Sequence, residues 1–157
     1  MTISNHKGLA DIVTALNCYK ERFRRQDLQQ QYPLEQISGL YALFPDLEMA
    51  PGVTSKWPDG WPASSRKGVY FIFGTQVRLL YIGKASMSAS IGSRLSHWFN
   101  YARPGNGCRV VHSGWSEQPR FVAVLPVPEG MAFEAPALEE FLIDRLSPSD
   151  NVNGRVR

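Results

Sequence analysis

A chain of 157 residues, 43% hydrophobic and 20% charged, has the length and composition of one ordinary globular domain with a substantial core, and not those of a disordered segment. The formal charge of +3 and pI near 9.0 lean mildly toward polyanionic partners without identifying one. Cys18 and Cys108 lie far apart with no His or Cys at metal-ligand spacing, so no disulfide framework or zinc site is indicated; no apolar run reaches the roughly 18–20 residues of a membrane span, and residues 1–7 lack the apolar stretch of a signal peptide. The expectation is a cytoplasmic protein with reduced thiols and no membrane contact.

From Lys7 to Gln31, Leu9, Ile12, Val13, Leu16, Tyr19 and Phe23 recur at three- and four-residue steps, which predicts an amphipathic helix. Lys20, Arg22, Arg24 and Arg25 fall on its other face, either as a solvated surface or as cations for nucleic-acid phosphates. Pro33 followed by Leu34, Ile37, Leu40, Tyr41 and Leu43 predicts a second, shorter helix stopping near Phe44-Pro45. Pro51, Gly52, Pro58, Gly60, Pro62, Ser64 and Ser65 then mark a loop, and Trp57 and Trp61 suggest that it is pinned against the body. Residues 1–65 are thus expected to be a helical extension packed on a second unit, 66–157.

Gly68–Phe73 and Leu79–Ile82 are β-rich runs around Gly74, Thr75, Gln76 and Arg78, the pattern of a hairpin with a slightly long loop. The strand period of two puts Val69, Phe71 and Phe73 on one face and Tyr70 and Ile72 on the other, less hydrophobic one. Gly83 reads as a place to leave the sheet or to approach a ligand closely, with Lys84 at the mouth of whatever Tyr70 and Tyr81 line. Taken alone, the hairpin reads first as one that packs its aromatics into a core.

After the small, polar stretch Ala85–Ser90, a helix is predicted from Ile91 to Tyr101 with Ile91, Leu95, Trp98 and Phe99 inward and Arg94 and His97 one turn apart on an adjoining face. Tyr101–Pro119 reads as irregular, with a short strand at Arg109–His112. The near-continuous apolarity of Phe121–Val127 predicts a central strand. A last helix runs from Glu134, since Pro136 is tolerated only in a first turn, to about Leu146, and Pro148 ends it. Within it Glu139 stands between Leu138 and Leu142, where a carboxylate is costly unless it binds something or pairs with a cation.

Gly68-Val69-Tyr70, Tyr81-Ile82-Gly83-Lys84, Arg94 in a helix, Glu139-Glu140-Phe141-Leu142-Ile143 and Asn151 beyond Pro148, in this order, resemble the GIY-YIG nuclease superfamily, and in motif detail the nuclease module of bacterial excision-repair incision proteins. The resemblance covers about Gly68 to Val152. Valine replaces the isoleucine of the first signature, the Tyr81–Arg94 interval is about three residues long in excess, Asp150 stands where a tyrosine is frequent, and an insertion falls at Tyr101–Pro119. Asn151 is preferred over Asn153 as the matching asparagine. The implied fold is α+β, a small central antiparallel sheet of about three strands flanked by helices, which agrees with the elements read independently.

By this resemblance the chain is a DNA endonuclease, of restriction, repair or other role, with Mg²⁺ (or Mn²⁺) as cofactor, no small-molecule cofactor, and DNA as partner. Tyr70 would act on the nucleophilic water as base or as orienter, Tyr81 would position water or phosphate, and Lys84 would supply nearby positive charge. Arg94 would clamp the phosphate, unless it is a structural partner of Glu139 or Asp144. Glu139, the set's single carboxylate, would be the protein ligand of the cation. His97 would assist at a phosphate or the leaving oxygen or be structural, and Asn151 would fix the site or cap a helix exit. The competing class is a catalytically silent nucleic-acid-binding or interaction module on the same fold.

Overall fold

The β-branched and aromatic residues of Gly68–Phe73 form the strand on which the sheet is built. In the computed structural model, which describes residues 7–44, 53–55, 60–101 and 107–151, this strand pairs antiparallel on both sides. The described elements are α1 (Lys7–Phe23), α2 (Gln26–Gln31), β1 (Leu40–Ala42), β2 (Val53–Ser55), β3 (Gly68–Phe73), β4 (Leu79–Ala85), α3 (Ile91–Trp98), β5 (Phe99–Tyr101), β6 (Cys108–Val110), β7 (Phe121–Pro126) and α4 (Glu134–Leu146). The main sheet runs β2-β1-β7-β3-β4, and β5 and β6 form a separate two-stranded ribbon. The chain is α+β. Its antiparallel centre β7-β3-β4 is widened by β1, antiparallel to β7, and by β2, parallel to β1.

Every residue of β3 and β7 is buried, because both faces of the sheet are covered. On one face Val69, Phe71, Phe73, Ala123 and Leu125 pack with Leu9, Ile12 and Leu16 of α1 and Leu138 and Leu142 of α4. On the other, Tyr70, Ile72, Val122 and Val124 pack with Ile91, Leu95 and Trp98 of α3 and with Phe99 and Cys108 of the ribbon. Each fully buried Leu, Ile or Phe contributes roughly 1.5–3 kcal/mol. The face holding Tyr70 is therefore as enclosed as its opposite, not a more solvated one.

The N-terminal segment differs from the expected pair of helices. The first ends at Phe23, since Arg25 takes an extended conformation and Arg24 turns inward; this leaves Phe23 63% exposed, against the rings of Tyr19 and Phe141. The second expected helix is an extended segment and β1. Ser38 exchanges bonds with Val124 (its N–H to Val124 O and the Val124 N–H to its Oγ, both 2.9 Å), and the Leu43 N–H donates to Arg120 O at 2.8 Å. The unpaired side of β7 thus recruits this backbone, overriding the local three-four spacing. Leu34, Ile37 and Leu40 share the core of α1 and α4, so the described part of residues 1–65 supplies core and two strands of the main sheet as well as helix.

The predicted loop tie is made by Trp61, whose ring packs on Phe99 and whose Nε1–H donates to Ser96 Oγ at 3.0 Å; Trp57 lies outside the described residues. α3 stops at Trp98, three residues early, because Phe99–Tyr101 pairs with Cys108–Val110. α4 matches its predicted span, and Ser147 closes it in a left-handed conformation with its N–H on Ile143 O. No helix of the described residues is long and apolar enough to cross a membrane.

Candidate active site

Strand register decides where the two tyrosines go. Tyr70 stands opposite Gly83 and Ile72 opposite Tyr81, so both phenols lie on the face covered by α3, while Ile82 joins the face covered by α4. Since β4 is an edge strand, the space beside it is reached from both layers. There Tyr70, Tyr81, Lys84, Arg94, His97, Trp98 and Glu139 line one cavity of about 290 Å³. Sequence separations of up to 69 positions collapse into a site drawn from β3, β4, α3 and α4.

Gly83 has a specific task within it. It sits inside β4, which continues through Lys84 to Ala85, so it is not the point where the chain leaves the sheet. A Cβ built there would overlap Cζ and Oη of Tyr70, well inside contact distance. The missing side chain is the space into which the Tyr70 ring lies. Above that ring the Trp98 indole Nε1–H donates to the Tyr70 hydroxyl at 2.9 Å, so the phenol uses its own proton as a donor, toward Tyr81.

Burial pushes the Tyr70 phenol well above the usual range, with neighbouring Tyr81 adding to the rise and the Trp98 bond and Arg94 opposing it. Tyr81 is raised too, first by burial and then by Glu139, against its bond with Tyr70 and the charge of Arg94. Neither is a base at neutral pH on these terms, and both are good hydrogen-bond donors. Glu139 is also raised: burial outweighs Lys84 and Arg94. Its carboxylate lies 3.6 Å from the Lys84 ammonium, and the same two residues open onto an adjoining groove of about 600 Å³ along α4. Arg94 is exposed and makes no ion pair among the described residues, so neither Glu139 nor Asp144 holds it.

α3 is aimed by its own sequence. Ser90 and Ser93 form a reciprocal capping box, and the N–H groups of Ile91 and Gly92 are taken by Arg66 O and Ser64 O at 2.9 Å. With Ile91, Leu95 and Trp98 buried, Arg94 and His97 must face the cavity, three residues apart.

Three aromatic residues escaped the sequence reading. Trp98 was expected only as core. Trp115 and His112, from the insertion after α3, do not line the cavity but pack behind its aromatic residues: Trp115 meets Tyr81 edge-on at 5.9 Å and Trp98 at 5.3 Å, while His112 lies 4.9 Å from the His97 ring. A usable signal existed for Trp98 alone, which the helical spacing already put on the inward face of α3, where its indole N–H needs an acceptor.

Asn151 stands apart from the cavity. Its Oδ1 accepts the Ile82 N–H at 2.7 Å and its Nδ2 donates to Ile82 O at 2.9 Å, while the Asp150 N–H bonds Leu80 O at 2.8 Å. It covers the outer edge of β4 between Tyr81 and Gly83 through both main-chain groups of Ile82. Asn153 lies outside the described residues.

The basic set of the first helix does not form one face. Arg24 is buried, its Nε 2.6 Å from Glu134 Oε1 and its Nη2 3.0 Å from Oε2, with further bonds to Gln29 and to Tyr32 O, so it cannot reach a phosphate. Arg25 is exposed and paired with Asp27 at 2.8 Å, Arg22 is exposed, and Lys20 is half-buried beside a separate cavity between α1 and residues 35–37. Of the four cations read as a solvated face or as phosphate contacts, Arg24 is withdrawn as a contact, and Arg22 and Arg25 are the exposed ones.

As a cation site, the cavity offers one carboxylate, and no group of three or more His, Cys, Asp or Glu among the described residues could enclose a metal. That donor set fits Mg²⁺, which binds through one or two carboxylates and completes its shell with water and substrate phosphate oxygens. Phenol donors, a guanidinium, an ammonium, an imidazole and a carboxylate around one cavity are suited to an anionic, tetrahedral or pentacoordinate phosphorus centre. No protein-family model, curated protein or solved structure matches the chain.

Proposed function

We propose that the protein is a divalent-cation-dependent endonuclease that hydrolyses DNA phosphodiester bonds in the manner of the GIY-YIG superfamily. The observation that carries this reading is the convergence of Tyr70, Tyr81, Lys84, Arg94, His97 and Glu139, marked by motif resemblance along the sequence, on a single cavity.

In this reading Arg94, exposed and unpaired, takes two phosphoryl oxygens with its planar fork as their charge grows. Tyr70, held by Trp98 and hydrogen-bonded to Tyr81, orients the attacking water together with that second phenol and is not its unaided base. Tyr81 shares that water or a phosphate oxygen. Glu139 would hold Mg²⁺ or Mn²⁺ together with substrate oxygens; the bound cation supplies charge neutralisation at the phosphate and a more acidic water. Lys84 balances the Glu139 carboxylate and adds positive potential toward the DNA backbone. His97, on the exposed side of α3, gives a proton to the departing 3′ oxygen in this reading.

The test is incubation of the purified protein with supercoiled, branched and single-stranded DNA, with Mg²⁺, with Mn²⁺ and with chelator. Cation-dependent nicking or cutting, absent in Glu139→Ala, is the expected result. Binding without cleavage of any form under either cation would instead identify a silent nucleic-acid-binding module.

A further inference from the structure

We propose that Met87 is an apolar wedge that enters a base step of duplex DNA beside the cleaved phosphate; this deepens, and rests on, the endonuclease reading. Ser86–Ala89 is a tight turn joining β4 to α3, closed by the Ala89 N–H on Ser86 O at 3.0 Å. Met87, its first central residue, has φ of 56°, whereas Ser88 is not among the described residues with positive φ. That is the pattern of a type II′ turn, whose first central position belongs to glycine because a side chain there is strained. Here the position carries a methionine that is 89% exposed, the most exposed large hydrophobic residue among those described.

The turn is also firmly supported. The Lys67 ammonium donates to Ala89 O at 2.6 Å, and the Ser90–Ser93 capping box begins immediately after it. A strained backbone on a fixed support thus holds an apolar side chain away from the protein. Its place indicates the partner. Lys84 precedes the turn and Arg94 follows it, and both line the candidate active site, so DNA gripped there would meet the turn at a neighbouring step. Proteins that kink a duplex insert side chains of this kind, methionine among them, between bases. The unbranched thioether adapts to whichever bases flank it.

The experiment uses the full chain and a duplex carrying 2-aminopurine at successive positions around the cut mapped with Mg²⁺, with emission read in chelator to prevent turnover. The wild type is expected to raise emission severalfold at one step. Met87→Ala should lose that rise and lower kcat/KM by roughly tenfold on paired DNA, with recovery on a duplex mismatched at that step, where opening costs less. Met87→Gly, which relieves the strained φ, should also lose the rise while melting at a higher temperature, separating the wedge from turn stability. Bound and cleaved duplex with no emission change, or a rise retained in Met87→Ala, would each overturn the wedge and leave the nuclease reading standing. Cleavage of single-stranded DNA alone, with no duplex bound, would overturn the wedge and leave the nuclease reading, whereas a wild type that neither binds nor cuts DNA of any form removes both.

Discussion

The indole of Trp98 donates a hydrogen bond to the hydroxyl of Tyr70, 2.9 Å away and 28 positions earlier in the chain. This bond uses one lone pair of the phenol and fixes where its proton points. Tyr70→Phe leaves the Trp98 N–H buried without an acceptor, at a cost of about 1–3 kcal/mol, and should be folded and nearly inactive. Trp98→Phe keeps an aromatic wall but frees the phenol to rotate, so cleavage should slow by roughly tenfold or more. Single-turnover cleavage beside thermal melting separates the two effects. Full turnover in Tyr70→Phe would return this tyrosine to a packing role.

Gly83→Ala adds one carbon where the Tyr70 ring already lies. The ring cannot retreat easily, because Val124 flanks it on the other side and the whole of β3 is buried. The variant should lose about 1–3 kcal/mol of stability and, in whatever remains folded, most of its activity. An alanine protein with wild-type melting and cleavage would mean that Tyr70 stands elsewhere in solution.

Glu139 provides a pH test. Burial holds its carboxyl above the usual 4.5, Lys84 and Arg94 notwithstanding. A carboxyl raised in the folded state favours folding as the neutral acid; that contribution is complete below the unfolded pKa and is lost as pH rises through the folded one. Glu139→Gln stays neutral throughout. In chelator it should melt like the wild type below about pH 4 and above it from that window to neutrality, while cleavage with Mg²⁺ falls by roughly 10²-fold or more. Melting curves recorded across pH would refute the burial-dominated assignment if the glutamine variant gained nothing at pH 7.

The hairpin, α3 and α4 were legible because each carries its own periodicity, capping or proline signal, and the site residues ride on those elements. What could not be read was set by distant partners. Leu34, Ile37, Leu40 and Tyr41 have helical spacing, yet the free edge of β7 claims the backbone of β1. Asn151 grips both main-chain groups of Ile82, a contact across 69 positions with no local mark. Trp115 and His112 come to pack against Tyr81 and His97 only because β5 and β6 pair after α3, and the stretch between those strands has a loop composition that says nothing of where it returns.

Arg24 illustrates the same point energetically and yields the last prediction. By position it belongs with Lys20, Arg22 and Arg25, but its guanidinium is buried against Glu134, which also accepts a hydrogen bond from the Tyr19 hydroxyl at 3.3 Å. The pair ties the end of α1 to the start of α4, the helix that carries Glu139. Arg24→Gln would strand the Glu134 carboxylate in the interior, and breaking one side of such a pair costs about 3–5 kcal/mol. A quadruple charge removal would therefore confound unfolding with lost DNA contacts. The double variant Arg22→Gln, Arg25→Gln removes only exposed charge, since the Arg25–Asp27 pair is a surface one. It should melt like the wild type, and if both arginines touch backbone phosphates the slope of log K against log salt should fall by about two units. DNA affinity measured at several salt concentrations decides this: an unchanged slope with unchanged melting would make these arginines a solvated surface and place the DNA path entirely on the side of Lys84 and Arg94.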